Sequence, residues 1–142
     1  MKNLILSLLV FSVFNAFGQP SIKDAPYHSE KDVSIYLSFK DCINSAKGTA
    51  KQYLFIEIIN SSTSNMIVSF DKEMWYDGVC QTCESSSNEY KVEVTVPANS
   101  KIAGDCDSTD KNLRIFSKML NLNKVRKLTK YELKNINIEN AQ

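Results

Sequence analysis

The chain has 142 residues with 17 basic side chains, 16 acidic side chains and one histidine, so its formal net charge at pH 7 is only +1. A chain this close to neutral has no bulk charge to attract nucleic acid or anionic lipid, and we expect no nucleic-acid partner. The charge is unevenly distributed, however: residues 71–110 contain nine acidic and three basic residues, and residues 111–134 contain eight basic and one acidic. This predicts either oppositely charged solvated faces on neighbouring strands or a polarised binding surface.

The N-terminus has the organisation of a secretory signal peptide. Lys2 precedes an apolar run over residues 4–14, and Ala16 and Gly18 place small residues three and one positions before a cut. Those 11 residues are too few for a membrane-spanning helix, which needs about 20. We therefore predict a signal peptide over residues 1–18, cleavage before Gln19, no membrane span in the mature form, and a periplasmic or secreted location.

The mature chain is predicted to be a loose leader over residues 19–31 followed by a single domain over residues 32–142, a common domain size. The leader contains the only histidine, His28, which we expect to be exposed to solvent and not a general base. The rest of the mature chain is expected to share one hydrophobic core.

Alternation of apolar and polar residues predicts strands through most of this domain. The predicted inward residues of the first strand are Val33, Ile35, Leu37 and Phe39. The next strand, QYLFIEII over residues 52–59, is expected to be buried on both faces. The polar turn over residues 60–65 then predicts a hairpin between this strand and MIVSF over residues 66–70.

Three later segments complete the pattern. YKVEVTV over residues 90–96 alternates regularly and ends before Pro97, which cannot donate to a sheet ladder. Residues 112–122 fit either a helix or a strand, and we favour a strand. In the last strand, apolar residues alternate up to Leu133 and resume at Ile136, which predicts a β-bulge near residues 134–135.

Six or seven short strands without alternating helices predict an all-β fold, an antiparallel sandwich. In the number and spacing of its predicted strands, the chain resembles the immunoglobulin-like β-sandwich family over residues 33–139. Cysteines are absent from QYLFIEII and LRIF, where antibody-type domains carry their core bridge, so the resemblance implies architecture and no function. The export signal and the Lys- and Asn-rich composition also resemble small secreted proteins of Gram-negative bacteria of the Bacteroidetes kind.

The four cysteines, Cys42, Cys80, Cys83 and Cys106, each follow a predicted strand, and the connections that carry them are expected to meet at one end of the sandwich. Two disulfides, a zinc site with four thiolate ligands, and a redox pair at Cys80 and Cys83 are all compatible with that arrangement. An oxidising compartment favours two disulfides. We predict that Cys42 and Cys106 each bond to one member of the Cys80/Cys83 pair, because such bridges restrain more of the unfolded chain than a ring between Cys80 and Cys83.

Candidate recognition residues precede the Cys-x-x-C segment. Trp75, Tyr76 and Asp77 could supply rigid aromatic contact area on a loop, although a tryptophan packed over a disulfide is the competing interpretation for Trp75. The carboxylates of Asp71, Glu73 and Asp77 could include an acid pair, but we favour alternation on a charged loop as their explanation.

Other chemistry has little support in the sequence. Asp105, Asp107 and Asp110 are weak candidates for a calcium loop, but the glycine and glutamate of an EF-hand loop are missing. No nucleophile motif or glycine-rich phosphate loop is present. We therefore expect no catalytic residues, no metal and no cofactor.

The sequence favours an exported, disulfide-stabilised binding or structural module without catalytic activity, acting on an unknown protein or glycan partner. The alternative is a secreted enzyme or a thiol–disulfide redox protein that uses Cys80 and Cys83.

Overall fold

The computed structural model describes residues 25–83 and 87–142. The predicted signal peptide and its cleavage site lie outside these residues. The described chain forms nine strands in two antiparallel sheets. Sheet A contains β1 (His28–Glu30), β2 (Val33–Asn44), β3 (Thr49–Asn60), β7 (Ser100–Ala103) and β8 (Arg114–Met119). Sheet B contains β4 (Met66–Tyr76), β5 (Val79–Cys80), β6 (Lys91–Val96) and β9 (Leu128–Asn140).

The two sheets are built on the same plan. In sheet A, β3 pairs with β2 along one edge and with the shorter β7 and β8, one after the other, along its other edge. In sheet B, β4 pairs in the same way with the long β9 on one side and with β6 and β5 on the other. The inner faces pack against each other, so the fold is the predicted all-β antiparallel sandwich.

Apolar side chains from both inner faces form one continuous core. The most deeply buried members include Val33, Ile35, Ile56, Ile58, Val68, Val96 and Ile138, each fully buried. The predicted inward pattern of the first strand holds for Val33 and Ile35, but Phe39 is 49% exposed. Phe39 is exposed because β2 continues beyond the core to Asn44, and its ring packs edge-to-face against the ring of Tyr131.

The predicted hairpin between residues 52–59 and 66–70 is wrong. β3 and β4 lie in different sheets, and the turn between them crosses from one sheet to the other. Both strands carry an apolar inner face, and packing those faces against each other buries more apolar surface than pairing the strands edge to edge. The buried amide of Asn60 secures the crossing, because its Nδ2 donates to the carbonyl oxygens of Ser64, Val96 and Pro97.

The prediction of a loose leader over residues 19–31 is also wrong at its described end. Residues 28–30 form β1, which pairs with the beginning of β2. The Tyr27 hydroxyl accepts a hydrogen bond from the backbone N–H of Leu133, and Lys31 Nζ donates to the carbonyl of Ile138. Residues 27–31 are held in place because Tyr27 and Lys31 satisfy backbone groups on the open edge of β9.

Two other strand predictions are confirmed. Residues 114–119 form β8, so the helical interpretation of this segment is wrong. The register of β9 against β4 shifts between Ser69 and Asp71, and Asn135 has a φ of 51°, which is the predicted bulge. The bulge returns the apolar side chains of Ile136 and Ile138 to the inner face.

Candidate functional site

The first disulfide joins Cys42 to Cys106, which are 64 positions apart. Cys42 lies on the outer face of β2, and Cys106 lies in the connection between β7 and β8. The bond therefore fastens that connection across the outer face of sheet A. Beneath it, Phe55 is only 3% exposed although it points away from the core, and Gly104 lies so close to Phe55 and to the carbonyl of Leu113 that a side chain there would overlap them.

The second disulfide closes a ring between Cys80 and Cys83, three positions apart. The predicted bonds from this pair to Cys42 and Cys106 are therefore wrong, and the described cysteines form two separate bridges instead of one four-sulfur cluster. The physical reason is sheet membership: Cys80 belongs to β5 in sheet B, whereas Cys42 and Cys106 cover the outer face of sheet A.

The Cys-x-x-C segment is attached to β4 by more than its disulfide. The N–H of Gln81 donates to the carbonyl of Met74 at 2.8 Å. The buried hydroxyl of Thr82 accepts from the N–H of Met74 and donates to the carbonyl of Lys72, both at 3.0 Å. Thr82 thus provides hydrogen-bond partners for backbone groups on the part of the β4 edge that pairs with neither β5 nor β6. The N–H of Cys83 donates to Cys80 Sγ at 3.0 Å.

Trp75 lies on the outer face of sheet B, directly across from Cys80 on one side and Lys130 on the other. Lys130 Nζ is 4.2 Å from the centre of its ring, so one ring face is covered by a cation. Lys130 and Lys134 both pair with Glu132, and hydrogen bonds from these two lysines lower the pKa of Glu132 to about 2. Trp75 is therefore a neighbour of the Cys80–Cys83 bridge on the surface and does not plug the core.

Tyr76 and Asp77 do not join Trp75 in a common recognition surface. Tyr76 points between the sheets, where its hydroxyl donates to the carbonyl of Phe116 at 2.6 Å and burial raises the pKa of the phenol. Asp77 occupies the turn before β5 with a φ of 51°, and its carboxylate accepts from the N–H of Lys127. Tyr76 thus ties β4 to β8 across the two sheets, and Asp77 holds the β8–β9 connection in place.

The three candidate calcium ligands do not converge. Asp105 Oδ1 accepts hydrogen bonds from the N–H groups of Asp107 and Ser108, and Asp110 Oδ1 accepts from the N–H of Asn112. Two of the carboxylates thus fold the connection between β7 and β8 by capping its own backbone. Within residues 25–83 and 87–142, no group of three His, Cys, Asp or Glu side chains is placed to hold a metal ion.

Lys72 is a charged residue that the sequence analysis missed. It is 7% exposed on the inner side of β4, and its Nζ donates to the carbonyls of Lys111 at 3.0 Å and Asn112 at 3.2 Å. Burial lowers the pKa of its ammonium, and the nearby carboxylates of Asp110 and Glu89 oppose that effect. Its position in the alternation of Met66, Val68 and Phe70 was the available sign that it points inward.

The outer groove, also missed by the sequence analysis, is a cavity of about 480 Å³ beside the Cys42–Cys106 bond. The β2–β3 hairpin forms one wall, and the connection that carries Cys106 forms the other. The side chains lining it are mostly polar or charged and include Asp41, Asn44, Lys47, Thr49, Lys51, Tyr53 and Asp107. The groove has no local sequence signal, because its two walls come from segments about 60 residues apart that only the disulfide and the sheet bring together.

Comparison with protein-family models, with curated proteins and with solved structures finds no match to this chain. The immunoglobulin-like identity and the Bacteroidetes-type origin accordingly stay predictions. Among the described residues, no helix has the length and apolar character needed to cross a membrane.

Proposed function

We propose that the chain is an exported, disulfide-stabilised binding module without catalytic activity. The outer groove carries this proposal, because the Cys42–Cys106 bond ties its two walls together before any ligand arrives. A site held in its binding conformation loses less conformational entropy when the ligand binds. Its volume of about 480 Å³ falls within the range of roughly 300–1,000 Å³ that is usual for ligand sites.

Export belongs to the same proposal. The two disulfides support it, because such bonds form and persist in the periplasm and outside the cell, whereas cytosolic thiols are kept reduced. The signal-peptide pattern of residues 1–18 supports the same location.

The lining of the groove favours a polar partner, a segment of a glycan or of a protein. Lys47 and Lys51 offer ammonium groups, and Asp41 and Asp107 offer carboxylates. The Arg114 guanidinium lies 5.0 Å from the centre of the Tyr53 ring and covers one of its faces. Hydrogen bonds and charge, more than stacking on an open aromatic ring, would therefore select the ligand.

Filling the groove tests this proposal. Thr49→Trp places a large side chain in the cavity, and Thr95→Trp places the same side chain on the exposed outer face of β6 as a matched control. On an array of neutral and acidic oligosaccharides and peptides, we expect Thr95→Trp to bind like the wild type and Thr49→Trp to lose the signal. Equal binding by the two variants would contradict the groove as the binding site.

A thiol–disulfide redox protein is the second candidate, and the bond between Cys80 and Cys83 favours it. In such a reaction a substrate thiolate would attack Cys83 Sγ and form a mixed disulfide, while Cys80 leaves as a thiolate. The N–H of Cys83, which already donates to Cys80 Sγ, would stabilise that thiolate.

Thiol counting in glutathione buffers separates the two candidates. The binding module is expected to keep Cys80–Cys83 oxidised in mild glutathione. Rapid reduction of this pair would favour the redox candidate if the reduced protein has the same melting temperature as the oxidised protein.

A further inference from the structure

Three connections meet at one end of the sandwich, which we call the basic end: the β2–β3 hairpin at residues 44–49, the β4–β5 turn at 77–78, and the β8–β9 connection at 120–127. Backbone and side-chain hydrogen bonds hold them together. The N–H of Leu120 donates to the carbonyl of Ala50, and the N–H groups of Asp77 and Lys127 each donate to an oxygen of the other residue.

This end concentrates positive charge although the whole chain is almost neutral. The three connections together with the strand residues on either side of them, residues 44–51, 76–79 and 118–130, contain seven basic residues, Lys47, Lys51, Lys118, Lys124, Arg126, Lys127 and Lys130, and a single acidic residue, Asp77. Lys47, Lys124 and Lys127 are exposed, and in the part of the chain that the structure describes none of them is within 4.0 Å of a carboxylate. The fold thus gathers basic residues that the sequence spreads over about 80 positions.

The same end also exposes large aliphatic side chains. Ile43 is 71% exposed at the end of β2, Val79 is 62% exposed in β5, and Leu122 is 51% exposed in the β8–β9 connection. The opposite end, formed by residues 31–32, 61–65 and 97–99, has none of the large exposed hydrophobic residues identified in the described chain. Exposed aliphatic side chains at the same end as a concentration of lysines are typical of a surface that lies on a membrane.

We propose that the basic end docks onto an anionic lipid surface, with Lys47, Lys124 and Lys127 contacting headgroups and Ile43, Val79 and Leu122 entering the boundary of the acyl chains. Lipid fits better than nucleic acid or an acidic polysaccharide, because those polymers offer no apolar phase for aliphatic side chains. They are commonly bound by stacking on aromatic rings, and here cations cover a face of both nearby rings: Lys130 covers Trp75 and Arg126 covers Tyr76.

The test measures binding of the exported protein to vesicles of pure phosphatidylcholine and to vesicles of equal parts phosphatidylcholine and phosphatidylglycerol. We expect binding to the anionic vesicles only. Lys124→Glu with Lys127→Glu should weaken it by at least about tenfold, since each lysine near an anionic surface contributes severalfold to the affinity. Lys91→Glu with Lys111→Glu makes the same change of charge on exposed residues away from this end and should bind like the wild type.

A second pair of variants tests the apolar contribution. Val79→Ser with Leu122→Ser should weaken vesicle binding severalfold without lowering the melting temperature, because both side chains are exposed in the free protein. Every variant keeps the N-terminal residues of the wild type. A difference in vesicle binding between variants therefore reports on the basic end and not on the N-terminus. They also lie outside the outer groove, so failure of this proposal is distinguishable from failure of groove binding.

Three results would overturn the proposal. The first is equal binding to the two kinds of vesicle, and the second is equal weakening by the two charge-reversal pairs. The third is tight binding to soluble dextran sulfate together with vesicle binding that Val79→Ser and Leu122→Ser leave unchanged, which would identify the basic end as a site for polyanions.

Discussion

Cys42–Cys106 and Cys80–Cys83 are the same kind of bond in very different settings. Cys42–Cys106 joins a strand to a connection 64 positions away and holds that connection over the outer face of sheet A. Cys80–Cys83 closes a ring within one short segment that hydrogen bonds from Gln81 and Thr82 already attach to β4. The comparison shows that a disulfide's structural importance depends on what else holds the same segment in place.

Lys72 connects the two disulfide regions. Its ammonium group binds carbonyls of the connection that carries Cys106, and its own carbonyl accepts the hydroxyl of Thr82 beside the Cys80–Cys83 ring. One buried residue of β4 therefore contacts both of the segments that carry the disulfides.

Removing the disulfides separately should give the largest difference. Cys42→Ser with Cys106→Ser frees a long loop in the unfolded chain and should lower the free energy of unfolding by about 4 kcal/mol on a loop-closure argument. Cys80→Ser with Cys83→Ser, the matched control, frees only a short ring and should lower it by about 2 kcal/mol or less. Denaturant unfolding monitored by circular dichroism measures both, and equal losses would contradict the distinction between the two bonds.

Thr82→Val tests whether hydrogen bonds hold the Cys-x-x-C segment independently of its disulfide. The variant keeps the shape of the side chain but leaves the N–H of Met74 and the carbonyl of Lys72 without their partner, which should cost about 1–3 kcal/mol of stability. Thr95→Val, at an exposed position of β6, should change stability by no more than about 0.5 kcal/mol. Equal effects of the two substitutions in thermal unfolding would show that the disulfide alone fixes the segment.

The smallest expected effect is a pH dependence from Lys72. Because burial lowers the pKa of its ammonium below 10.5, the native protein loses this proton at a lower pH than the unfolded chain does. The stability of the wild type relative to Lys72→Met should therefore rise with pH between the lowered pKa and 10.5, by at most about 1.4 kcal/mol per pH unit. Urea unfolding at several pH values measures this difference, with Lys91→Met at an exposed position as the control, and a flat difference for Lys72→Met would contradict the effect.

The fold class and most of the strands are predictable from local patterns in the sequence. The alternation of Val92, Val94 and Val96 predicts β6 directly, and the three-residue step from Leu133 to Ile136 locates the bulge in β9. These predictions hold because the orientation of a side chain on a strand depends on its immediate neighbours, and the period of two is a local property of the backbone. The presence of two disulfides was predictable too, because the four cysteines and the signal-peptide pattern can both be read from the sequence.

Which strands pair and which cysteines meet depends on the packing of the folded chain. β3 and β4 look like a hairpin along the sequence, but they separate into two sheets because their apolar faces pack against each other. That separation places Cys80 on a different sheet from Cys42 and excludes the predicted cross-bridges. The outer groove and the basic end arise in the same way: each brings together residues far apart in the sequence, and local periodicity contains no information about which distant segments become neighbours.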